Sequence, residues 1–144
     1  MNANATADKV ARAMLAAEGT GPAWGLEIEE AREGYARVRM AVTAAMLNGH
    51  GTAHGGVIFA LADSAFAYAC NSRNLRSVAA QASIVYLEPA REGDVLIAEA
   101  EERALVGRSG VYHVAVRSAD GRAIAEFAGF SRSVGGEVIS GGLE

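Results

Sequence analysis

Hydrophobic and polar positions repeat with different periods along the chain, and the places where the period changes mark its elements. Residues 7–17 are helix formers with Val10, Met14 and Leu15 at near-helical spacing, which predicts a short N-terminal helix. The Gly19-Thr20-Gly21-Pro22 cluster is expected to end it. Between Trp24 and Val42 the period falls to two. Ala36, Val38, Met40 and Val42 alternate with Tyr35, Arg37, Arg39 and Ala41, as on a strand with one buried face. Glu33-Gly34 stands where a turn would join that strand to an earlier one around Leu26 and Ile28. A glycine-rich loop from Asn48 to Gly56 leads into a run with the length and alanine content of a helix, predicted over about 55–71. That helix is apolar on nearly every face, so it should be enclosed on all sides.

The remainder alternates as strands: Val78 to Leu87, Val95 to Val106, Val111 to Ser118 and Ile124 to Val134. Asp120-Gly121 is the strongest hairpin signal among their connections. Short connections predict that successive strands are antiparallel neighbours. The glycine-rich tail, residues 135–144, is expected to fray. The elements predict a single α+β domain over residues 1–144, an antiparallel sheet curled around a central helix. The sheet covers one side of that helix, and some other surface, such as a second subunit, would complete the enclosure.

Composition narrows the function. A net charge of −4 offers no basic surplus for nucleic acid. The single cysteine, Cys70, forms no internal disulfide. The N-terminus does not read as a secretory signal, and the apolar run ending at Cys70 contains an Asp and is too short to span a bilayer. A cytoplasmic location is the expectation.

Asp63 is the most informative residue. It is the only acid or base between Gly55 and Asn71, and it lies mid-helix, where it cannot cap. An unpaired buried carboxylate costs several kcal/mol, on the order of a marginal fold's whole stability. Either the helix has one wet edge, or Asp63 does chemistry. The loop before the helix leaves the same choice: a chain reversal, or a helix N-terminus whose amides polarise a carbonyl. Gly55 and Gly56 would let a substrate approach that backbone. Gly55 and Asp63 are about 12 Å apart along a helix, too far to act on one carbonyl from one chain. If both act, Asp63 must reach the helix N-terminus of a second subunit, and two-fold symmetry then gives two equivalent sites.

The stretch Asn48-Gly-His-Gly-Thr-Ala-His-Gly-Gly-Val-Ile-Phe-Ala-Leu-Ala-Asp63 resembles the signature of the hotdog thioesterases, and most of all their PaaI branch, the phenylacetic acid degradation thioesterases. The order of elements is similar over roughly residues 7–134. The resemblance implies a hotdog fold of about five to six strands, side-by-side dimers pairing into tetramers, and hydrolysis of acyl-CoA without metal or organic cofactor. Carried over by position, Asp63 would be general base or nucleophile, and the Gly55 N–H would polarise the thioester carbonyl. Asn48 would orient substrate or water, and His54 would support the loop. The expected substrates are phenylacetyl-CoA and its ring-hydroxylated forms. Some relatives place a hydroxyl early in the strand after the helix to hold the water; here that stretch is Ala79-Ala80-Gln81-Ala82-Ser83.

Other candidates carry less. His50 and His54 lack a third ligand for a metal. Ser64 has no Gly-x-Ser-x-Gly elbow. Cys70 reads as core. Arg73, Arg76, Arg91 and Arg108 are candidates for the CoA phosphates, with Arg108 favoured in its Gly-Arg-Ser-Gly turn. Phe66 and Tyr68 are candidate walls of an aryl pocket. Two alternatives compete: a non-catalytic acyl-CoA sensor, which would need no carboxylate, and a hotdog dehydratase or hydratase, whose His and acid stand at another spacing.

Overall fold

The computed structural model describes residues 2–140. Its centre is the alanine-rich helix α3, Gly55–Cys70. His54 starts α3 from an extended backbone, its Nδ1 accepting from the Gly56 N–H at 2.9 Å. Asn71 ends it. The Asn71 Nδ2 donates to the Ala67 carbonyl at 2.9 Å and to the Ser77 carbonyl at 3.1 Å, while its Oδ1 accepts from the Ser77 N–H. One side chain thereby stops the helix and aims the strand that follows.

Two helices precede the sheet. Helix α1 spans Ala3–Ala17, starting earlier than the hydrophobic spacing predicts because Asn2 caps it, accepting from the Ala5 N–H at 2.7 Å. The glycine–proline cluster ends α1 as expected but then forms a further short helix, α2, Thr20–Trp24. Proline is compatible there because the first turn of a helix leaves its N–H groups unpaired.

Six strands form one antiparallel sheet: β1 Glu27–Arg32, β2 Tyr35–Ala41, β3 Ser77–Tyr86, β4 Val95–Val106, β5 Ser109–Ser118 and β6 Ala123–Ser133. The hairpin turns fall on Gly34, Gly107 and Gly121, with φ of +72°, +59° and +97°, backbone that glycine adopts without a Cβ clash. The spatial order is β1-β2-β4-β5-β6-β3. The expectation that successive strands are antiparallel neighbours holds for β1–β2, β4–β5 and β5–β6 and fails on either side of β3. β3 pairs with β6 at one edge, while β4 crosses to pair with β2. The strand after α3 thus starts from one edge, and the chain must pass over the helix end to bring β4 beside β2. That crossing wraps the sheet around α3.

The inner face of the sheet is small where the helix comes closest. Ala36, Ala98 and Ala100 are wholly buried against α3, with Val38, Met40, Leu96 and Val114 around them. Leu61, Ala62, Ala65 and Phe66 fill the space from the helix side. Part of the tail is tied back to the turn after α3. Asn74 Oδ1 accepts from the N–H groups of Val138 and Ile139, and its Nδ2 donates to the Ile139 carbonyl. The Arg76 N–H also donates to the Gly136 carbonyl. The remainder of that expected tail, residues 141–144, lies outside the described residues.

Candidate active site

Helix α3 is not closed on every side by its own chain. Gly56, Ala60, Asp63 and Ala67 recur four, three and four residues apart and are the positions left partly or fully exposed along one stripe. Asp63 lies half-buried in that stripe and makes no hydrogen bond or ion pair among the described residues. A hollow of about 200 Å³ beside it is walled by Met14 of α1, Glu18 just after that helix, Thr20 of α2, and Ala60, Ser64, Ala67 and Tyr68 of α3. Burial, and then the nearby Glu18 carboxylate, push the Asp63 carboxyl above its ordinary value. No cation offsets them in that lining. The group is set up as a base stronger than an exposed aspartate.

The loop before α3 is a compact turn held by Asn48. Its Oδ1 accepts from the N–H groups of His50 and Thr52 at 2.9 and 3.2 Å, and its Nδ2 donates to the Thr52 hydroxyl. One Nδ2 hydrogen is left over. At the helix start, the Gly56 N–H is taken by His54 Nδ1, and the N–H groups of Val57 and Ile58 by the His54 carbonyl. The Gly55 N–H is the amide of this turn left without an acceptor among the described residues. The Tyr86 hydroxyl donates to the Gly55 carbonyl at 2.7 Å, holding the next peptide of the helix start. Asn48, Gly55 and Tyr86 share a cleft of about 390 Å³ that also includes Ile58 and Pro89. At this size the cleft falls within the range of small-molecule sites.

The candidate residues are therefore split. Asn48, His54, Gly55 and Gly56 stand together at the start of α3, whereas Asp63 opens into a hollow that shares no lining residue with their cleft. Arg108 lies in a third hollow with Cys70 and Ser131, near the other end of α3. From Gly55 to Cys70 the axis runs about 22 Å. Arg108 makes no side-chain bond among the described residues, and nor do Arg76 and Arg91. Arg73 is engaged: it forks onto Glu102 at 2.7 and 3.0 Å and reaches Glu33.

Two aromatic expectations change. Phe66 is 1% exposed and packs edge-on against Tyr112, so it is core and not the wall of a pocket in this chain. Tyr68 does line the Asp63 hollow, but its ring is buried and its hydroxyl donates to Glu18. Burial and the nearby Asp63 charge push the Cys70 thiol up to about 12, so it is no nucleophile. Ser83 pairs with Ala128, on the face of the sheet turned away from α3. The hydroxyls that do line the Asp63 hollow are Thr20, Ser64 and Tyr68. Glu18, Thr20 and Tyr86 carry no signal in the sequence, because their partners lie far along the chain or, for Thr20, in an α2 read as a stop. No group of three or more His, Cys, Asp or Glu that could hold a metal occurs among the described residues.

Residues 50–125 match the family model described as the thioesterase superfamily. The chain is 43% identical to the acyl-coenzyme A thioesterase PaaI of Escherichia coli K12 over 128 residues, covering 89% of this chain and 91% of that one. The structure of the E. coli PaaI protein from the phenylacetic acid degradation operon superposes with a TM-score of 0.92 at 41% identity, covering 94% of this chain and 99% of that one. A hypothetical thioesterase from Streptococcus pneumoniae TIGR4, solved with coenzyme A, matches at a TM-score of 0.75 and 30% identity over 78% of this chain and 90% of that one.

Proposed function

This chain belongs to the thioesterase superfamily and is a thioester hydrolase of the hotdog fold, and from that premise we propose that it hydrolyses acyl-CoA with Asp63 as general base and the Gly55 N–H of a second subunit as oxyanion donor. The observation that carries this reading is the split: an unpaired carboxylate and an unpaired helix-start amide belong to one helix that its own chain leaves open along a stripe, about 12 Å apart along it. Two such helices packed antiparallel along their exposed stripes would bring each Asp63 toward the other's Gly55. The stripe has the small residues that let helices approach, with Gly56, Ala60 and Ala67 flanking the acid. Edge strand β3 supports the pairing as well. It is exposed along most of its length and carries Val78, Val85 and Tyr86 in the open, an edge that natural folds usually cover.

In this arrangement water is held between Asp63 and the thioester carbonyl. Asp63 takes a proton as the water oxygen bonds to the carbonyl carbon, and the carbonyl electrons move to an oxyanion facing the Gly55 N–H. The oxyanion collapses, the carbon–sulfur bond breaks, and the proton passes from Asp63 to the departing CoA sulfur. Asn48 spends its leftover Nδ2 hydrogen on substrate or water, and His54 holds the turn by capping Gly56. Arg108 is the arginine we assign to the CoA phosphates. The hollow beside Asp63, about 200 Å³, suits a compact acyl group such as phenylacetyl or hydroxyphenylacetyl. The E. coli relative's place in a phenylacetic acid degradation operon favours the same acyl class.

The test is thiol release from a panel of aryl- and fatty acyl-CoAs. Asp63→Asn should lower kcat by about 10²-fold or more while substrate still binds. Undiminished turnover removes Asp63 from its role; binding without turnover in the unaltered protein favours a sensor. Single turnover in ¹⁸O water separates the routes, because label in the Asp63 carboxylate means attack by the carboxylate itself.

A further inference from the structure

The hollow beside Asp63 contains a second carboxylate. Glu18 follows α1 directly and enters the hollow from the N-terminal segment, outside the residues 50–125 that the family model matches. Its position is fixed by two hydroxyls. Tyr68 donates to one carboxylate oxygen, and Thr20 donates to the other at 3.0 Å. Tyr68 is 1% exposed and cannot swing away. A carboxylate held by two donors stays where a charge acts on its neighbour.

Each helix around the hollow brings a polar group to it. Glu18 follows the end of α1, α2 supplies the Thr20 hydroxyl, and α3 supplies Ser64 and Tyr68, with Cys70 two turns on. No Lys or Arg lines the hollow among the described residues. Two carboxylates therefore share a partly dry space with no cation between them, the arrangement in which one of the pair resists ionisation.

We propose that Glu18 is a positioning residue that acts through Asp63: its charge, pinned by Tyr68 and Thr20 in the shared hollow, sets the lower pH limit of turnover. The inference rests on Asp63 being the general base. Glu18 needs no contact with substrate for this; it disfavours a second negative charge nearby. The gain is a stronger base, and the cost is a site that idles until the pH is high enough to empty Asp63 of its proton.

The experiment is the pH profile of kcat/KM for acyl-CoA hydrolysis by the full chain and three variants. Glu18→Gln keeps the shape and removes the charge. Its acid limb should move to lower pH by about half a unit to one unit. Because the base is then weaker, its kcat on the plateau should fall about two- to threefold. Glu18→Asp restores the charge and should return the limb most of the way. Thr20→Val loosens one carboxylate oxygen without touching the core and should move the limb in the same direction by less. A Glu18→Gln protein with wild-type melting behaviour and an unmoved limb overturns the inference. Should Glu18→Gln fail to fold, an unmoved limb in Thr20→Val overturns it instead. A change confined to KM would mean that Glu18 touches substrate, which also overturns it. Asp63→Asn separates this failure from that of the premise. If that variant stays active, the general-base reading falls; if it is inactive and the limb is unmoved, only the role of Glu18 falls.

Discussion

Gly129 stands on the helix-facing side of β6, where an added Cβ would lie 2.8 Å from Cδ1 and Cε1 of Phe66. The Phe66 ring has no room to retreat, because Tyr112 meets it edge-on at 5.5 Å between centroids. Gly129→Ala should therefore cost about 1–3 kcal/mol by overpacking, readable in a urea melt, and Phe66→Leu in the same chain should recover part of it. Asp63 gives the opposite kind of prediction. Its carboxyl binds a proton more tightly folded than unfolded, so folded stability is fully present below the ordinary value of 3.8 and declines as pH rises through the raised one. At neutral pH the ionised Asp63 destabilises the fold. Asp63→Asn should raise Tm by about 2–5 °C at pH 7 and leave it nearly unchanged at pH 3. At this scale Asp63 was legible in the sequence because it is the lone acid in an apolar run. Glu18 and Tyr86 were not, since they reach α3 from 50 and 31 residues away and sequence spacing records only neighbours along the chain.

The two ends of α3 show what an element needs beyond its own propensity. Its start depends on His54 and Tyr86, its end on Asn71, and the turn after it on Arg73, which ties Glu33 of the β1–β2 turn to Glu102 of β4. The Arg73 guanidinium, together with the Tyr112 hydroxyl, holds the Glu102 carboxyl below its ordinary value, although its partial burial opposes this. The stability gained there is present above the ordinary value of 4.5 and lost as pH falls through the lowered one. Arg73→Met should cost about 1–3 kcal/mol at pH 7 and flatten the acid-induced loss, measurable by thermal melts at pH 7 and pH 3. The strands were legible to within a few residues because alternation is a local signal. Their neighbours were not. The short β3-to-β4 connection predicts that these two strands are neighbours, yet β3 pairs with β6, a long-range choice made by the way the sheet closes over α3.

At the scale of the whole molecule the question is how many chains make one site. In one chain the Gly55 cleft and the Asp63 hollow are separate, so the proposed site predicts subunit complementation. Gly55→Pro removes the N–H at the first helical position, where proline fits, and His54 before it is already extended with ψ of 134°. The Tyr86 hydroxyl, 3.0 Å from an added Cβ, must shift slightly. Gly55→Pro and Asp63→Asn chains should each be inactive alone. Co-refolded in equal amounts, they should recover about a quarter of wild-type activity, since half the dimers are mixed and each mixed dimer has one intact site. No recovery, with mixed dimers present by native mass spectrometry, would place the site within one chain.

The sequence by itself determined the elements and the unusual residues, because helix propensity, alternation and a stranded charge in an apolar run are properties of short stretches. Tertiary structure alone decided the order of strands, the demotion of Phe66 to core, the free Gly55 amide beside its capped neighbours, and the meeting of Glu18 with Asp63. Each of those depends on groups far apart in the chain competing for the same few ångströms of space, and that competition is settled only when the sheet closes on the helix.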